Sequence, residues 1–486
     1  MDEAVTILAP GHPLKLSLTQ LSIPVPSETL HPALARSHHT LTVLSNKAFI
    51  FGGLDASGTL CPPGIHTLTL PTSETTPNPP STTTTTTTSA DPVSQESTAT
   101  PTSSYYTSYP PYTLHDETTG ELLLPRARSG HAACARGRDG RFLFVHGGRL
   151  AERNNDNPAS NNSAGENDEK EDEDDDDESN CLWQWDAELL RWSRLPGETQ
   201  LGESMAAPRW GHWIFWDRDE GDEMNTAGFV ILIGGRTAGA GTGFSEHEHS
   251  HTERQAWMYD LYTGAWTALP ALPARPLAAA YVDKRVYVLS RAGEEGVSAA
   301  TTAVHYLDMQ ESAVEREKFR ALVWKTVLPN PHSHGHGHGQ SPGPEPREGG
   351  ALIPLTTGHG REYLVYMFGC STTASGEKKF HSDIWTLQLP AKKHSLAAAA
   401  DKFRETFFSH GDTGVFHWAE AEIVPTEQGG GEGKVLPGPR AMFGADRCLN
   451  GRGVVLWGGV NAKGETESDG WLIRSAYGYA DHERAE

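Results

Sequence analysis

The stretch that decides the fold reads RWGH at residues 209–212, FVILIGG at 229–235 and WMYD at 257–260, and it closes with Trp266. The middle run is continuously β-branched, aliphatic or aromatic, which is typical of a strand that is buried on both faces. The two glycines that end it permit a backbone bend that side chains would obstruct. Residues 209–266 therefore predict one small sheet of about four strands.

The same pattern occurs six times along the chain. Each copy starts with an arginine ahead of a small or His-containing stretch, and we name it the opening arginine: Arg36, Arg128, Arg209, Arg275, Arg347 and Arg440. The fourth copy has the run RVYVLS in place of a run ending in Gly-Gly, and the first lacks a closing Trp. Serial copies of one sheet predict a closed ring of blades rather than separate domains.

The sixth copy has only three predicted strands, and the start of the chain offers the fourth. Residues Leu14–Leu18 alternate apolar and polar side chains with a period of two, as a half-buried strand does. Because an unpaired sheet edge invites aggregation, a ring closed by this N-terminal strand is favoured.

These motifs resemble Kelch repeats, in which a double glycine precedes a spaced aromatic pair in blades of about 50 residues. The resemblance covers roughly residues 20–475, and residues 361–475 are also similar to fungal Kelch proteins called galactose-oxidase-like. It implies an all-β fold, a six-bladed Kelch-type β-propeller. We expect one domain with its core at about 12–70, 114–150, 181–330 and 345–476.

Three segments interrupt this core. We expect residues 71–113, which are rich in Ser, Thr and Pro, and the acidic residues 151–180 to be disordered inserts. The segment 331–346 is a His/Gly/Pro-rich loop whose histidines lack the fixed geometry of a metal site. The Ala-rich residues 395–407 predict a helix in blade 5, with Leu396, Phe403 and Phe407 on its packed face.

Charge and composition exclude several classes of protein. The net charge is −23, which disfavours nucleic acid and anionic membrane surfaces as partners. No apolar run is long enough to span a membrane, and no basic region precedes an apolar stretch at the start of the sequence. The five scattered cysteines do not suggest a disulfide framework. We expect a monomer in the cytoplasm, with the nucleus as the alternative compartment.

The opening arginines are the candidate binding residues. By resemblance, this position lies at the mouth of the central channel, where it often meets acidic groups of a bound peptide. Six guanidinium groups there would form an anion site, with Trp210 beside Arg209 as a further contact. The alternative is that each arginine bridges blades by bonding loop carbonyls, and the sequence leaves both interpretations open. The histidines three residues on, where present, are interpreted as structural.

The sequence favours a non-catalytic scaffold or adaptor that binds an acidic or phosphorylated segment of a protein partner, and it needs no cofactor. The alternative is a metal-dependent enzyme, such as the iron-dependent specifier proteins that share the Kelch fold. Their Glu-x3-Asp-x3-His spacing is absent, and only the fragment Glu377-x3-His381 is present. No nucleophile elbow, phosphate-binding loop or HExxH motif occurs.

Overall fold

Six sheets of antiparallel strands form the blades of a β-propeller in this computed structural model, which confirms the predicted all-β architecture. The innermost strands of successive blades contact one another around the ring, and the sixth contacts the first. The structure describes residues 13–21, 33–71, 106–110, 124–137, 140–151, 178, 180–195, 198–199, 208–218, 228–237, 253–292, 301–310, 322–327, 343–358, 360–373, 375–392, 394–408, 416–425 and 434–476.

The strands of the first three blades run outward from the channel in chain order. Blade 1 consists of Thr40–Leu44, Lys47–Phe51, Ile65–Thr69 and Tyr106–Tyr109. Blade 2 consists of Ala132–Arg136, Phe142–His146, Leu182–Asp186 and Arg191–Leu195. Blade 3 consists of Trp213–Arg218, Gly228–Ile233, Ala256–Asp260 and Ala265–Leu269, with Glu198–Thr199 added parallel to the last.

The other three blades repeat this order. Blade 4 consists of Ala278–Val282, Arg285–Ala292, Thr301–Asp308 and Lys325–Val327. Blade 5 consists of Ala351–Gly358, Arg361–Met367, Ile384–Gln388 and His417–Glu420. Blade 6 consists of Gly444–Cys448, Gly453–Trp457, Gly470–Ser475 and Lys15–Gln20, and the 3-10 turn Leu449–Gly451 joins its first two strands.

Three two-stranded sheets lie where the opening segments meet the loops after the second strands. They pair Arg128–Ser129 with Arg149–Leu150, Arg209–Trp210 with Arg236–Thr237, and Arg440–Ala441 with Val460–Asn461. In blade 5 the loop after the second strand forms its own hairpin, Cys370–Thr372 with Lys378–Phe380. We call this end of the propeller the mouth face. The three sheets place the residues that follow the glycine pairs beside the opening arginines.

The N-terminal strand closes the ring as predicted. Leu18 lies opposite Ile473, and Gln20 lies opposite Trp471, in antiparallel register. On its other edge the same strand pairs in parallel with Glu422–Val424, so both of its edges are bonded. Leu14 and Leu16 are fully buried. The seam is therefore held by two ladders and by apolar packing.

The structure corrects two expectations about the inserts. The fourth strand of blade 1, Tyr106–Tyr109, lies inside the segment 71–113 and pairs in antiparallel register with Ile65–Thr69. Glu178, at the end of the acidic segment, binds an opening arginine. The rest of 71–113 beyond residues 71 and 106–110, the rest of 151–180 beyond 151, 178 and 180, and residues 331–342 lie outside the described residues.

The predicted helix is present as Leu396–Phe408, but it packs through a different face. Ala397 and Asp401 are buried, whereas Leu396 and Phe403 are 62 % and 55 % exposed. The Asp401 carboxylate accepts a hydrogen bond of 2.6 Å from Nη2 of the buried Arg361 in blade 5. This ion pair turns the helix toward its Ala397–Asp401 side, which the hydrophobic pattern alone could not indicate.

Replacement of Leu16 by Ala tests the closure. We expect it to lower the free energy of unfolding by about 2–5 kcal/mol, since the side chain is fully buried between blades. The control is Lys15→Ala, whose half-exposed ion pair with Glu422 is expected to contribute less than about 0.5 kcal/mol. Denaturant unfolding measures both, and equal losses would contradict the closure.

Candidate functional site

The opening arginines of blades 1, 2, 3 and 6 each clasp the glycine pair of their own blade. In each, Nη1 donates a hydrogen bond of 2.9–3.0 Å to the carbonyl oxygen of the first glycine: Arg36 to Gly52, Arg128 to Gly147, Arg209 to Gly234 and Arg440 to Gly458. The charge thereby satisfies a carbonyl that the bend removes from the sheet ladder. We call this unit the Arg/Gly-Gly clasp.

The clasp also joins neighbouring blades. The N–H of the second glycine donates to the main-chain carbonyl of the next blade's arginine, for example Gly53 to Arg128 at 2.8 Å and Gly148 to Arg209 at 2.9 Å. A buried histidine fills the space between the two pairs. A Cβ on Gly147 would lie 2.6 Å from Cε1 of His212, and one on Gly235 would lie 2.6 Å from Cβ of the same residue. The predicted structural role of these histidines agrees with this packing.

A second group binds each guanidinium near the start of the third strand. Glu178, Asp383 and Asp469 are the acidic partners in blades 2, 5 and 6, and His66 and Gln255 are the neutral ones in blades 1 and 3. Gln255, Asp383 and Asp469 also accept from a tryptophan indole two residues later. In blades 5 and 6 the predicted Asp and Trp positions thus form one polar network with the opening arginine, and in blade 3 Gln255 takes the place of the aspartate.

This geometry decides how far the opening arginines reach the surface. The side chains of Arg36, Arg128, Arg209, Arg347 and Arg440 are at most 3 % exposed, because their donors bind the blades themselves. They are therefore not exposed at the mouth as one interpretation expected. In blades 1, 2, 3 and 6 their side chains bond a loop carbonyl of the same blade, and it is their main-chain carbonyls that join neighbouring blades. Burial lowers the pKa of Arg128 and of Arg209 to about 10, so both stay charged at neutral pH.

Two of the predicted binding residues do reach the mouth face. Arg275 is 44 % exposed, and blade 4 has Ser290 where blades 1, 2, 3 and 6 have the clasped glycine. Trp210 is partly exposed next to the buried Arg209. Whether either of them binds a ligand stays a prediction.

A chain of main-chain hydrogen bonds surrounds the channel mouth. His38 donates to Met442, Met442 to Gly349, Gly130 to His38 and Gly211 to Gly130, at 2.7–2.9 Å. Blade 4 differs, since the N–H of Leu277 donates to Leu289 of the same blade. The described links therefore run from blade 5 through blades 6, 1 and 2 to blade 3, and blade 4 lies between their ends.

Trp210 lies between two arginines on this face. The guanidinium carbon of Arg149 is 3.7 Å from a Trp210 ring centroid, and that of Arg236 is 5.2 Å away. Arg149 is exposed, and Arg236 is 43 % exposed. Stacked cations of this kind leave guanidinium edges free to bind planar anions.

Four alternating charges connect blades 3, 4 and 5 beside this stack. Glu253 accepts from Nε of Arg236 at 3.2 Å and pairs with Nε of Arg275 at 3.0 Å. Glu348 is bound by Nη2 of the same two arginines, at 3.4 Å from Arg236 and 2.7 Å from Arg275. We call these four residues the charge quartet, and we call the quartet together with Arg149 and Trp210 the mouth patch.

Two cations lie close enough to His38 to act on it. Burial lowers the pKa of His38, and the charges of Arg149 and Lys378 lower it further. His38 lies in the hydrogen-bonded chain at the channel mouth. The mouth patch has one net positive charge, from three arginines and two glutamates, on a molecule with a net charge of −23.

The sequence analysis missed most of the mouth patch. Arg149 and Arg236 directly follow the glycine pairs of blades 2 and 3, so an arginine at that position was the signal available. Glu348 follows the opening Arg347, where blades 1 to 3 have Ser or Trp. Glu253 carries no such signal, because it is recognised only from its two contacts.

We also searched the described part of the chain for metal-binding clusters, disulfide bonds and membrane-spanning helices. Within it, no group of three or more His, Cys, Asp or Glu side chains is arranged to hold a metal ion. All five cysteines are free. No helix among the described residues is long and apolar enough to cross a membrane.

Comparison with known proteins gives one structural match to describe. The solved structure titled "Structure of YjhT" aligns over 95 % of this chain and 97 % of that chain, at 14 % identity and a TM-score of 0.46. No family model matches the sequence, and no curated protein matches it.

The buried histidines predict acid sensitivity. Burial lowers the pKa of His39, His66 and His146 from 6.5 to about 3, with nearby arginine charges adding to the effect. As the pH falls, these histidines therefore take up protons in the unfolded chain at a higher pH than in the folded protein. Above about pH 6.5 they are neutral in both states, and the free energy of unfolding has its full value. Below it, each histidine should remove about 1.4 kcal/mol per pH unit down to about pH 3.

Denaturant unfolding at pH 7.5 and 5.5 measures this loss. The control variant is His66→Gln, which gives Arg36 the kind of partner that Gln255 provides for Arg209, and it should reduce the pH dependence. A free energy of unfolding that is the same at both pH values would contradict the prediction.

Proposed function

We propose that the chain is a Kelch-class propeller that acts as a non-catalytic scaffold and binds an acidic or phosphorylated segment of a protein partner at the mouth patch. The Kelch assignment rests on the repeated glycine pair and spaced aromatic residues. The observation that carries the binding proposal is Trp210 between Arg149 and Arg236, at the exposed mouth of an acidic protein. Aromatic and arginine side chains are enriched among residues that dominate binding energy.

The mouth patch differs from the site that the opening arginines suggested. Arg149 and Arg236 take the place of the five buried arginines, and Trp210 and Arg275 are kept. Guanidinium groups suit carboxylates and phosphates because their parallel N–H donors match two oxygens. The proposed partner is therefore anionic, and the proposal includes neither nucleic acid nor membrane as a ligand.

The proposed oligomeric state, compartment and cofactor requirement are those expected from the sequence. We propose a monomer in the cytoplasm or nucleus that needs no cofactor. The iron-dependent alternative stays a prediction, and no described contact favours it. Metal analysis of the purified protein separates the two, since one tightly held iron per chain would favour the alternative.

Charge reversal at Arg149 tests the binding proposal. A partner captured from cell extract by the wild-type protein should bind the Arg149→Glu variant about tenfold more weakly, because a cation next to Trp210 becomes an anion. The measurement is the affinity of the purified partner, after thermal unfolding has shown that the variant is folded.

The matched control is Lys47→Glu, which makes the same change of charge at an exposed position. Lys47 begins the second strand of blade 1, at the opposite end from the glycine pair. Its affinity should equal that of the wild type. Equal affinities for the Arg149→Glu and wild-type proteins would place the binding site elsewhere, and phosphatase treatment of the partner shows whether phosphate is required.

A further inference from the structure

The charge quartet contains two carboxylates that are not equivalent. Glu253 is bound by the Nε atoms of Arg236 and Arg275 and is 18 % exposed. Glu348 is bound by the outer Nη2 atoms of the same arginines and is 43 % exposed. The inner carboxylate therefore fixes the two arginines, while the outer one lies on the side that faces solvent.

The main chain of Glu348 is held in place independently of its side chain. Its N–H donates to the carbonyl of Cys370, and its carbonyl accepts from the N–H of Cys370, both at 2.8 Å. Rotation of the side chain would release the carboxylate without breaking these bonds. Half-exposed ion pairs are weak in water, so this release has a small energetic cost.

The position that Glu348 occupies has the form of a carboxylate site. Its Oε1 binds Arg275 and its Oε2 binds Arg236, so each oxygen contacts a different guanidinium. Arg236 also contacts Trp210, over which Arg149 lies as well. A peptide carboxylate placed here would therefore have an aromatic surface and a further cation within reach.

We propose that Glu348 is an internal competitor, which occupies a carboxylate-binding position between Arg236 and Arg275 until an acidic side chain of a peptide replaces it. This inference rests on the proposed function and names its ligand class as a carboxylate-bearing peptide. The exchange breaks no covalent bond and leaves Glu253 in place. It makes binding depend on the charge of the ligand, because a neutral side chain cannot take over the two guanidinium groups.

Binding of a fluorescein-labelled hexaglutamate peptide, followed by fluorescence anisotropy at low salt, tests the exchange. We expect Glu348→Gln to bind this probe about threefold to fivefold more tightly than the wild type, because the competitor is gone. Glu348→Asp keeps the net charge but shortens the side chain, so we expect a smaller gain. Thermal unfolding establishes that each variant is folded. If Glu348→Gln does not fold, Glu348→Asp provides the test instead.

Two controls isolate the position from the overall charge. Glu253→Gln makes the same change of charge but loosens both arginines, so it should give no gain. Adding Arg275→Gln to Glu348→Gln should abolish the gain. The proposal is overturned if Glu348→Gln binds no more tightly than the wild type, if Glu253→Gln gains as much, or if neither the wild-type protein nor Glu348→Gln binds hexaglutamate.

The outcome can be separated from the test of the proposed function. Hexaglutamate requires no cellular partner, so a gain in Glu348→Gln supports the exchange even if Arg149→Glu leaves partner binding unchanged. Conversely, Arg149→Glu could weaken partner binding while Glu348→Gln leaves hexaglutamate binding unchanged. That result would support the scaffold proposal and contradict the role of Glu348 as a competitor.

Discussion

The Arg/Gly-Gly clasp is the constraint on which the rest of the propeller depends. In blades 1, 2, 3 and 6 two glycines bend the chain where the blade meets its neighbour, and this bend exposes carbonyl and N–H groups that need partners. The opening arginine supplies both, through its side chain to Gly147 in blade 2, for example, and through the carbonyl of Arg209 to Gly148. A charge at this position is therefore used inside the fold, which explains its recurrence without a ligand.

The mouth patch arises where this constraint is relaxed. Blade 4 has no glycine pair, its opening Arg275 is exposed, and the main-chain links around the channel leave it out. Blade 5 also lacks the pair, but Asp383 binds its opening Arg347, which is buried. Side-chain charges from blades 3, 4 and 5 meet there instead, as the quartet that Arg275 completes. The same degeneracy that weakens the repeat thus provides exposed guanidinium groups next to Trp210.

More of the fold than of the candidate site could be predicted from the sequence. Six copies of one pattern and the period-two segment Leu14–Leu18 were sufficient for the ring and its closure, because both depend on local periodicity. The exposure of an arginine depends instead on whether a carbonyl is available to it, and only the missing glycines of blade 4 hinted at this for Arg275. The contacts of Glu348 join residues 112 and 73 positions apart, those of Glu253 join different blades or loops without any periodic pattern, and a single sequence carries no signal for them. The prediction of the packed helix face was wrong for a related reason, because one buried ion pair between Asp401 and Arg361 outweighs the apolar pattern.

Replacing one glycine of a clasp tests the central claim most directly. Gly147 and Gly211 both have φ of +66°, but a Cβ on Gly147 would lie 2.5 Å from the carbonyl oxygen of Arg209, whereas one on Gly211 would meet nothing within 4 Å. Gly211→Ala should cost about 1 kcal/mol of unfolding free energy through its backbone conformation alone. Gly147→Ala should cost about 3 kcal/mol or more, because blades 2 and 3 must separate. Equal losses in denaturant unfolding would contradict a propeller organised by its clasps.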